Sequence, residues 1–268
     1  MIIGNREFDL KKHTYVMGIL NATPDSFSDG GEYMNMDAAL LHAEKMIRDG
    51  ADIIDVGGES TRPGYSPVSA DEEIERVVPI IEKIKSEFDI PVSVDTSKPE
   101  VAKESIAAGA DLVNDVWGLQ KYEEMGSVIA KAGVPCCLMH NKEKDVYENF
   151  KEDLFTEMSY ILHKAIGAGI SEDKIILDPG IGFAKNQEEN IWTLNNMDQL
   201  KYMGVPFLVG ASRKSVIGNA LNLPVEERLE GTLAVTALAV MKGASFVRVH
   251  DVLENKRVID MLEAVLHG

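Results

Sequence analysis

Ile175-Ile-Leu-Asp178-Pro-Gly-Ile-Gly-Phe-Ala-Lys185 is apolar up to one carboxylate and then breaks into a Pro-Gly-x-Gly turn. A short apolar run without alternation fits a strand buried on both faces, as in a parallel sheet covered by helices. Asp178 then stands at the strand's C-terminal end, where α/β barrels carry their chemistry. Helical periodicity at 188–203 completes a strand-then-helix unit.

The same unit recurs along the chain. Upstream, apolar runs at 15–20, 52–56, 91–94, 111–113 and 134–139 end on Asn21, Gly57-Gly58-Glu59, Asp95, Asn114-Asp115 and His140. Downstream, 205–210 leads into Ala211-Ser-Arg-Lys-Ser215, and 245–249 into His250 and Asp251. Helical patterns fill 38–49, 71–86, 123–131, 151–168, 226–241 and 254–266. Ser69 and Glu72 are spaced as a capping pair, and Pro99 falls where a first helical turn tolerates proline. Eight such units predict one closed (β/α)8 TIM barrel over residues 1–268, since an open doubly wound sheet usually has fewer strands and leaves edges. Residues 1–13 precede the first unit and are expected to form a short strand or plug at the barrel bottom.

Composition narrows the function. The chain has 268 residues, 45% hydrophobic, and a formal charge of -17, which argues against nucleic acid or another polyanion held by general electrostatics. Any phosphate-bearing ligand must be caught by local cations. No apolar run approaches the roughly 20 residues of a membrane span, and the first residues lack a signal-peptide pattern, so a soluble, cytoplasmic protein is expected. Cys136 and Cys137 are adjacent on a buried strand and read as two inert core thiols.

Alternation along each strand places Met17, Ile19 and Asn21 on one face, and likewise Ser93 with Asp95, Leu112 with Asn114, Ile176 with Asp178, and Phe246 with Arg248 and His250. A polar residue closes each set. One such residue is ordinary; agreement across separate strands points to a site. Sorted by charge, Asp95, Asn114 and Asp178 suit a flat heterocycle with an amidine-like N–H edge, with Lys214 reading a ring carbonyl or nitrogen. Arg248 and His250, with Asn21 and the Thr61-Arg62 loop, make a second, cationic pocket suited to phosphate or diphosphate. Asn21 offers one oxygen to Mg²⁺, which commonly binds through substrate phosphates.

The motifs Asn21-Ala-Thr-Pro-Asp-Ser-Phe-Ser-Asp-Gly-Gly, Asp55-Val-Gly-Gly-Glu-Ser-Thr-Arg-Pro-Gly, Ser93-Val-Asp-Thr, Asn114-Asp-Val-x-Gly, Asp178-Pro-Gly-x-Gly-Phe, Ser212-Arg-Lys-Ser and Arg248-Val-His-Asp together resemble the dihydropteroate synthase family. The resemblance implies a homodimeric barrel enzyme of folate synthesis that joins 4-aminobenzoate to 6-hydroxymethyl-7,8-dihydropterin diphosphate, releases diphosphate, and uses Mg²⁺. It implies that Asp95, Asn114, Asp178 and Lys214 hold the pterin, with Arg248 stacking on it or covering it. It further implies Asn21 as the magnesium ligand and Thr61, Arg248 and His250 as anion contacts. Arg62, Pro63, Phe183, Lys214 and Ser215 are implied around the aminobenzoate. The loops at 23–31 and 57–69 are expected to close over both substrates. Asn141-Lys142 departs from the family's usual Met-Gln after the fifth strand.

The chemistry suggests a loose transition state, because a reduced pterin delocalises the charge that develops as the CH₂–O bond breaks. Arg248, His250 and Mg²⁺ are expected to take the leaving charge, with Asp95 and the loop carboxylate Asp25 favouring the pterin cation. Two other readings share the barrel: a pterin-dependent methyltransferase and a non-catalytic pterin-binding paralogue. Ser212-Arg-Lys-Ser215 and Arg62-Pro63 argue against the first; Asn21, Asp95, Lys214 and Arg248 argue against the second. Other residues read more plainly. Glu59 is expected to order its own loop, His13, His42, His163 and His267 to be solvated, and His140 to serve as either a rim contact or a structural hydrogen bond. The segment 233–241 is apolar nearly all round, which suggests packing against a second subunit, or extra cover by the last helix.

Overall fold

The computed structural model describes residues 1–22, 32–59 and 68–267, the first four of the second stretch by backbone alone. Eight parallel strands form one sheet: β3 (Tyr15–Asn21), β4 (Ile53–Gly57), β5 (Val92–Asp95), β6 (Leu112–Asp115), β7 (Cys136–Met139), β8 (Ile175–Asp178), β9 (Leu208–Val209) and β10 (Phe246–Val249). Their order is β8-β7-β6-β5-β4-β3-β10-β9, and a parallel bridge between Leu177 and Phe207 joins the two ends. The predicted TIM barrel is present. Around it lie α1 (Glu32–Arg48), α2 (Ala70–Glu87), α3 (Pro99–Ala107), α4 (Glu124–Ala132), α5 (Phe150–Gly167), α6 (Gln187–Asn196), α7 (Ser215–Leu221), α8 (Leu229–Met241) and α9 (Val252–His267).

Some expected bounds shift for local reasons. Pro206 has no amide to donate, so the strand expected over 205–210 pairs only at Leu208–Val209, while the Pro206 carbonyl accepts from Leu177 N at 3.0 Å. The helix expected over 188–203 ends at Asn196 and tightens into a 3₁₀ turn, Met197–Met203, before Gly204 at φ 79°. Helix α7 is short and interrupted by Gly218, which left no periodic signal.

Inside the barrel the side chains form two layers. The lower is Met17, Ile53, Leu112, Cys137, Ile176, Leu208 and Phe246, all fully buried and interrupted on β5 by Ser93. A hairpin of β1 (Ile2–Ile3) and β2 (Arg6–Glu7) sets Ile3 and Phe8 against this layer, so the expected plug is a β-hairpin. Each large apolar side chain buried there contributes roughly 1.5–3 kcal/mol relative to exposure. Two residues further along the strands stand Ile19, Asp55, Asp95, Asn114, Met139, Asp178, Gly210 and Arg248. The apolar floor therefore carries a charged storey above it.

Helix α2 begins as its spacing predicts, with Ser69 Oγ accepting from Glu72 N at 3.1 Å. The Glu72 carboxylate turns to Arg76 instead of back to Ser69, so the cap is one-sided. Ser69→Ala should therefore lower unfolding free energy by about 1 kcal/mol, read from the urea midpoint; an unchanged midpoint would show the cap contributes nothing. Helix α8 is half covered by α9, with Thr236 donating to Asn255 Oδ1 at 2.6 Å, and Met241, Met261, Val265 and Leu266 stay exposed. Cys136 and Cys137 are buried free thiols, and burial raises both well above the usual thiol range. Among the described residues, no helix is long and apolar enough to cross a membrane.

Candidate active site

Strand register brings the expected residues to one level. Gly57 is paired with Asp95, and Asp95 with Asn114, so adjacent strands end together at the barrel mouth. Asp95, Asn114 and Asp178 are all buried, because alternation turns them inward above the apolar layer. Burial pushes the Asp178 carboxyl up, against the pull of Lys214 and of the Gly180 amide, which donates to Oδ1 at 2.7 Å. It also pushes Asp95 up, with Arg248 opposing.

Arg248 is where the charge-sorted picture fails. Its Nε donates to Asp55 Oδ2 and its Nη2 to Asp95 Oδ2, each at 2.6 Å. Asn114 Nδ2 adds a bond to the same Asp55 oxygen at 3.1 Å. The guanidinium thus lies among the acids instead of in a separate cationic pocket, since buried carboxylates without a cation are far costlier than paired ones. His250 follows β10 partly buried, where its amide donates to Ser212 Oγ at 3.2 Å and its Nδ1 lies 3.0 Å from that oxygen.

The loop after β8 is wound around two lysines. Lys214 Nζ donates to Ile181 O at 2.7 Å and sits 4.5 Å from the Phe183 ring centroid, which places both predicted residues side by side. Burial pulls the Lys214 ammonium down to about 8, partly offset by Asp178. Lys185 Nζ reaches Gly180 O and Phe183 O, both at 3.1 Å, and His140 Nδ1 at 2.9 Å; burial brings it down to about 7. His140 Nε2 lies 2.6 Å from Glu157 Oε2, so this histidine is a structural link and not a rim contact. Gly180, Gly182 and Ala184 all adopt positive φ, which lets the chain curl closely enough for backbone carbonyls to face these ammonium groups.

The family of pterin binding enzymes matches residues 17–250. The dihydropteroate synthase of Clostridium beijerinckii is 56% identical over 267 residues, covering 99% of each chain. The chain belongs to the dihydropteroate synthase family. A solved dihydropteroate synthase from Clostridium difficile, in the presence of pteroic acid, aligns with TM-score 0.95 at 49% identity, covering 98% of this chain and 100% of that one. A Xanthomonas albilineans dihydropteroate synthase with 4-aminobenzoic acid aligns at 0.91 and 38% identity, with 96% and 94% covered. Family membership makes the chain a transferase.

Set against the residues implied for a dihydropteroate synthase, the mouth brings together Asp95, Asn114, Asp178, Lys214, Phe183 and Arg248. Ser215 is the exposed first residue of α7, and Asn21 closes β3 half-buried, in register with Gly57. Asp25, Thr61, Arg62 and Pro63 lie outside the described residues, as do all of the loop expected at 23–31 and residues 60–67 of the loop expected at 57–69. Lys98 bonds both Glu59 and the buried Glu73, while the loop that Glu59 is expected to order lies outside the described residues from residue 60 to 67. Two residues were missed. Asp55 lies inside the apolar run Ile53-Ile-Asp-Val-Gly57; it opens one of the family-like motifs and shares a face with Gly57, but it does not end its run. Lys185 followed a turn and carried no strand-end signal. The wide groove of about 780 Å³ at the other end of the barrel is lined by the hairpin and the residues preceding strands, including Met1, Leu10, Val134 and Pro206, and so faces away from the strand-end acids.

The chemistry of the described donors fits a magnesium ion that arrives on phosphate. Among the described residues no group of three His, Cys, Asp or Glu is placed to hold a metal, and Asn21 supplies a single neutral oxygen. Mg²⁺ characteristically keeps waters and takes one or two protein ligands beside substrate phosphates.

Proposed function

We propose that this chain condenses 6-hydroxymethyl-7,8-dihydropterin diphosphate with 4-aminobenzoate to give 7,8-dihydropteroate and diphosphate, in the cytoplasm, as a homodimer. The arrangement that supports this is a wall of acceptors, Asp95, Asn114 and Asp178, level on the strand ends and faced by Lys214 and Arg248. A carboxylate such as Asp178 accepts two parallel N–H bonds from an amino-pyrimidinone edge, and an ammonium at Lys214 donates to a ring acceptor. That combination selects a pterin over a sugar or a plain phosphate ester.

The reaction breaks the CH₂–O bond with its electron pair leaving on diphosphate, and the arylamine lone pair forms the new C–N bond. The amine then loses its proton to solvent or to the departing anion. A neutral arylamine needs no strong base, so the protein's part is to hold the ring, stabilise charge and exclude water. Magnesium, with Asn21 as its protein ligand, would neutralise charge on the departing diphosphate. By the family resemblance, Asp95 and Asp25 would favour the cationic ring by field alone and His250 and Thr61 would face the departing anion; the guanidinium of Arg248, which rests on Asp55 and Asp95, reaches that anion only by leaving Asp95. Phe183, Lys214 and Ser215 would border the arylamine, and the family resemblance assigns Arg62 and Pro63 to the same pocket.

Mixing the two substrates with enzyme and Mg²⁺ tests the reading. Diphosphate must appear with one equivalent of dihydropteroate and must depend on aminobenzoate; release without the amine would indicate hydrolysis instead. Pterin affinity should also fall about tenfold between pH 7 and 9, because Lys214 loses its proton as pH rises through about 8. Lys214→Met should remove that alkaline limb in calorimetric titrations, and a limb that survives would assign it elsewhere. The exposed Met241, Met261, Val265 and Leu266 at the ends of α8 and α9 support the dimer, which sedimentation at micromolar concentration should show.

A further inference from the structure

Asp55 is fully buried, yet among the described residues only one of its oxygens is used. Oδ2 takes the bonds from Arg248 Nε and Asn114 Nδ2, while none of the described residues donates to Oδ1; Ser93 Oγ, in register on the next strand, likewise has no partner among them. An orphaned carboxylate oxygen is costly and calls for an explanation. The neighbouring geometry supplies one. Asp95 Oδ2 is taken by Arg248 Nη2, so the carboxylate meant for a pterin N–H already holds a guanidinium N–H, the same kind of donor. A pterin must displace that contact, and Nη2 then needs another acceptor close to the anchored Nε.

We propose that Asp55 is a positioning residue that receives Arg248 when substrate arrives: Nε stays on Oδ2, Nη2 moves from Asp95 to Asp55 Oδ1, and the pair becomes two-pronged. This rests on the pterin reading of the site. Guanidinium and carboxylate are matched forks, so the bidentate pair needs only a local rotation of an arginine that is 18% exposed, against a carboxylate that does not move. Arg248 is thereby a placeholder in the empty site. With pterin bound, its Nη1 edge is left for the ring face or the diphosphate.

The test is a double-mutant cycle on binding of 6-hydroxymethylpterin, which cannot release diphosphate, measured by calorimetry. Asp55→Asn removes one acceptor and the charge, leaves Arg248 more firmly on Asp95, and should weaken binding about ten- to a hundredfold. In an Arg248→Met background the same substitution should cause no further loss, because Asp55 acts through the arginine. In steady-state kinetics of the single variant, KM for the pterin diphosphate should rise more than kcat falls. Equal losses in both backgrounds would overturn the proposal, whereas a wild-type protein that binds no pterin would sink the reading of the site as well. Should Arg248→Met fail to fold, the wild-type pterin complex decides. Nη2 on Asp55 Oδ1 supports the proposal; Nη2 still on Asp95, or Oδ1 satisfied by a water shared with Ser93, refutes it.

Discussion

Asp178→Asn should reduce kcat/KM for the pterin diphosphate about a thousandfold while the protein stays folded, because a buried site built for hydrogen bonds rejects mismatched partners strongly. The Gly180 amide donates to Oδ1 at 2.7 Å, so asparagine must turn its carbonyl toward that N–H. Its amide nitrogen then faces the ligand, presenting a donor where the pterin edge also presents donors. Stability should hold or rise, since burial already disfavours the charged form of Asp178 and the substitution removes that charge. Steady-state kinetics paired with urea denaturation separates the two effects. A loss of activity that merely follows a loss of folding would contradict the assignment.

Gly180→Ala should have the largest effect on stability, about 4 kcal/mol or more. A Cβ at this position would lie 2.0 Å from the His140 carbonyl oxygen, and φ is 69°. That oxygen belongs to the backbone beside β7, whose next amide contact, His140 N to Asp178 O at 2.8 Å, ties it to β8, so neither side yields easily. Gly182 and Gly204 calibrate the claim. At Gly182 the nearest contact is Lys214 Cδ at 3.0 Å, a flexible chain, and at Gly204 nothing lies within 4 Å although φ is 79°. Alanine at either should cost only about 1–2 kcal/mol, mostly backbone strain. Thermal and urea unfolding of the three variants give the order, and a Gly180 variant as stable as the Gly204 one would show that the loop relaxes freely.

The barrel was legible because the strands are largely buried on both faces and most of the runs end on a polar residue, a pattern that repeats too often along this chain to be chance. Parity alone put Asp95, Asn114 and Asp178 on the inward face. What it could not reveal is where a long side chain ends: Arg248 was placed by its charge beside the anion, whereas its guanidinium reaches across to β4 and β5. Asp55 was hidden because an acid in the middle of an apolar run carries no strand-end signal. Lys185 was hidden because its burial depends on positive φ at Gly180, Gly182 and Ala184, a feature of conformation that Pro-Gly-x-Gly announces only in part.

A crystal structure with 6-hydroxymethyl-7,8-dihydropterin tests the central claim most directly. The ring should lie at the C-terminal ends of the strands, its amino edge on Asp178, and its other polar atoms on Asn114, Asp95 and Lys214. A ring bound elsewhere, in the groove under the barrel for instance, with Asp95 still holding Arg248, would contradict the account.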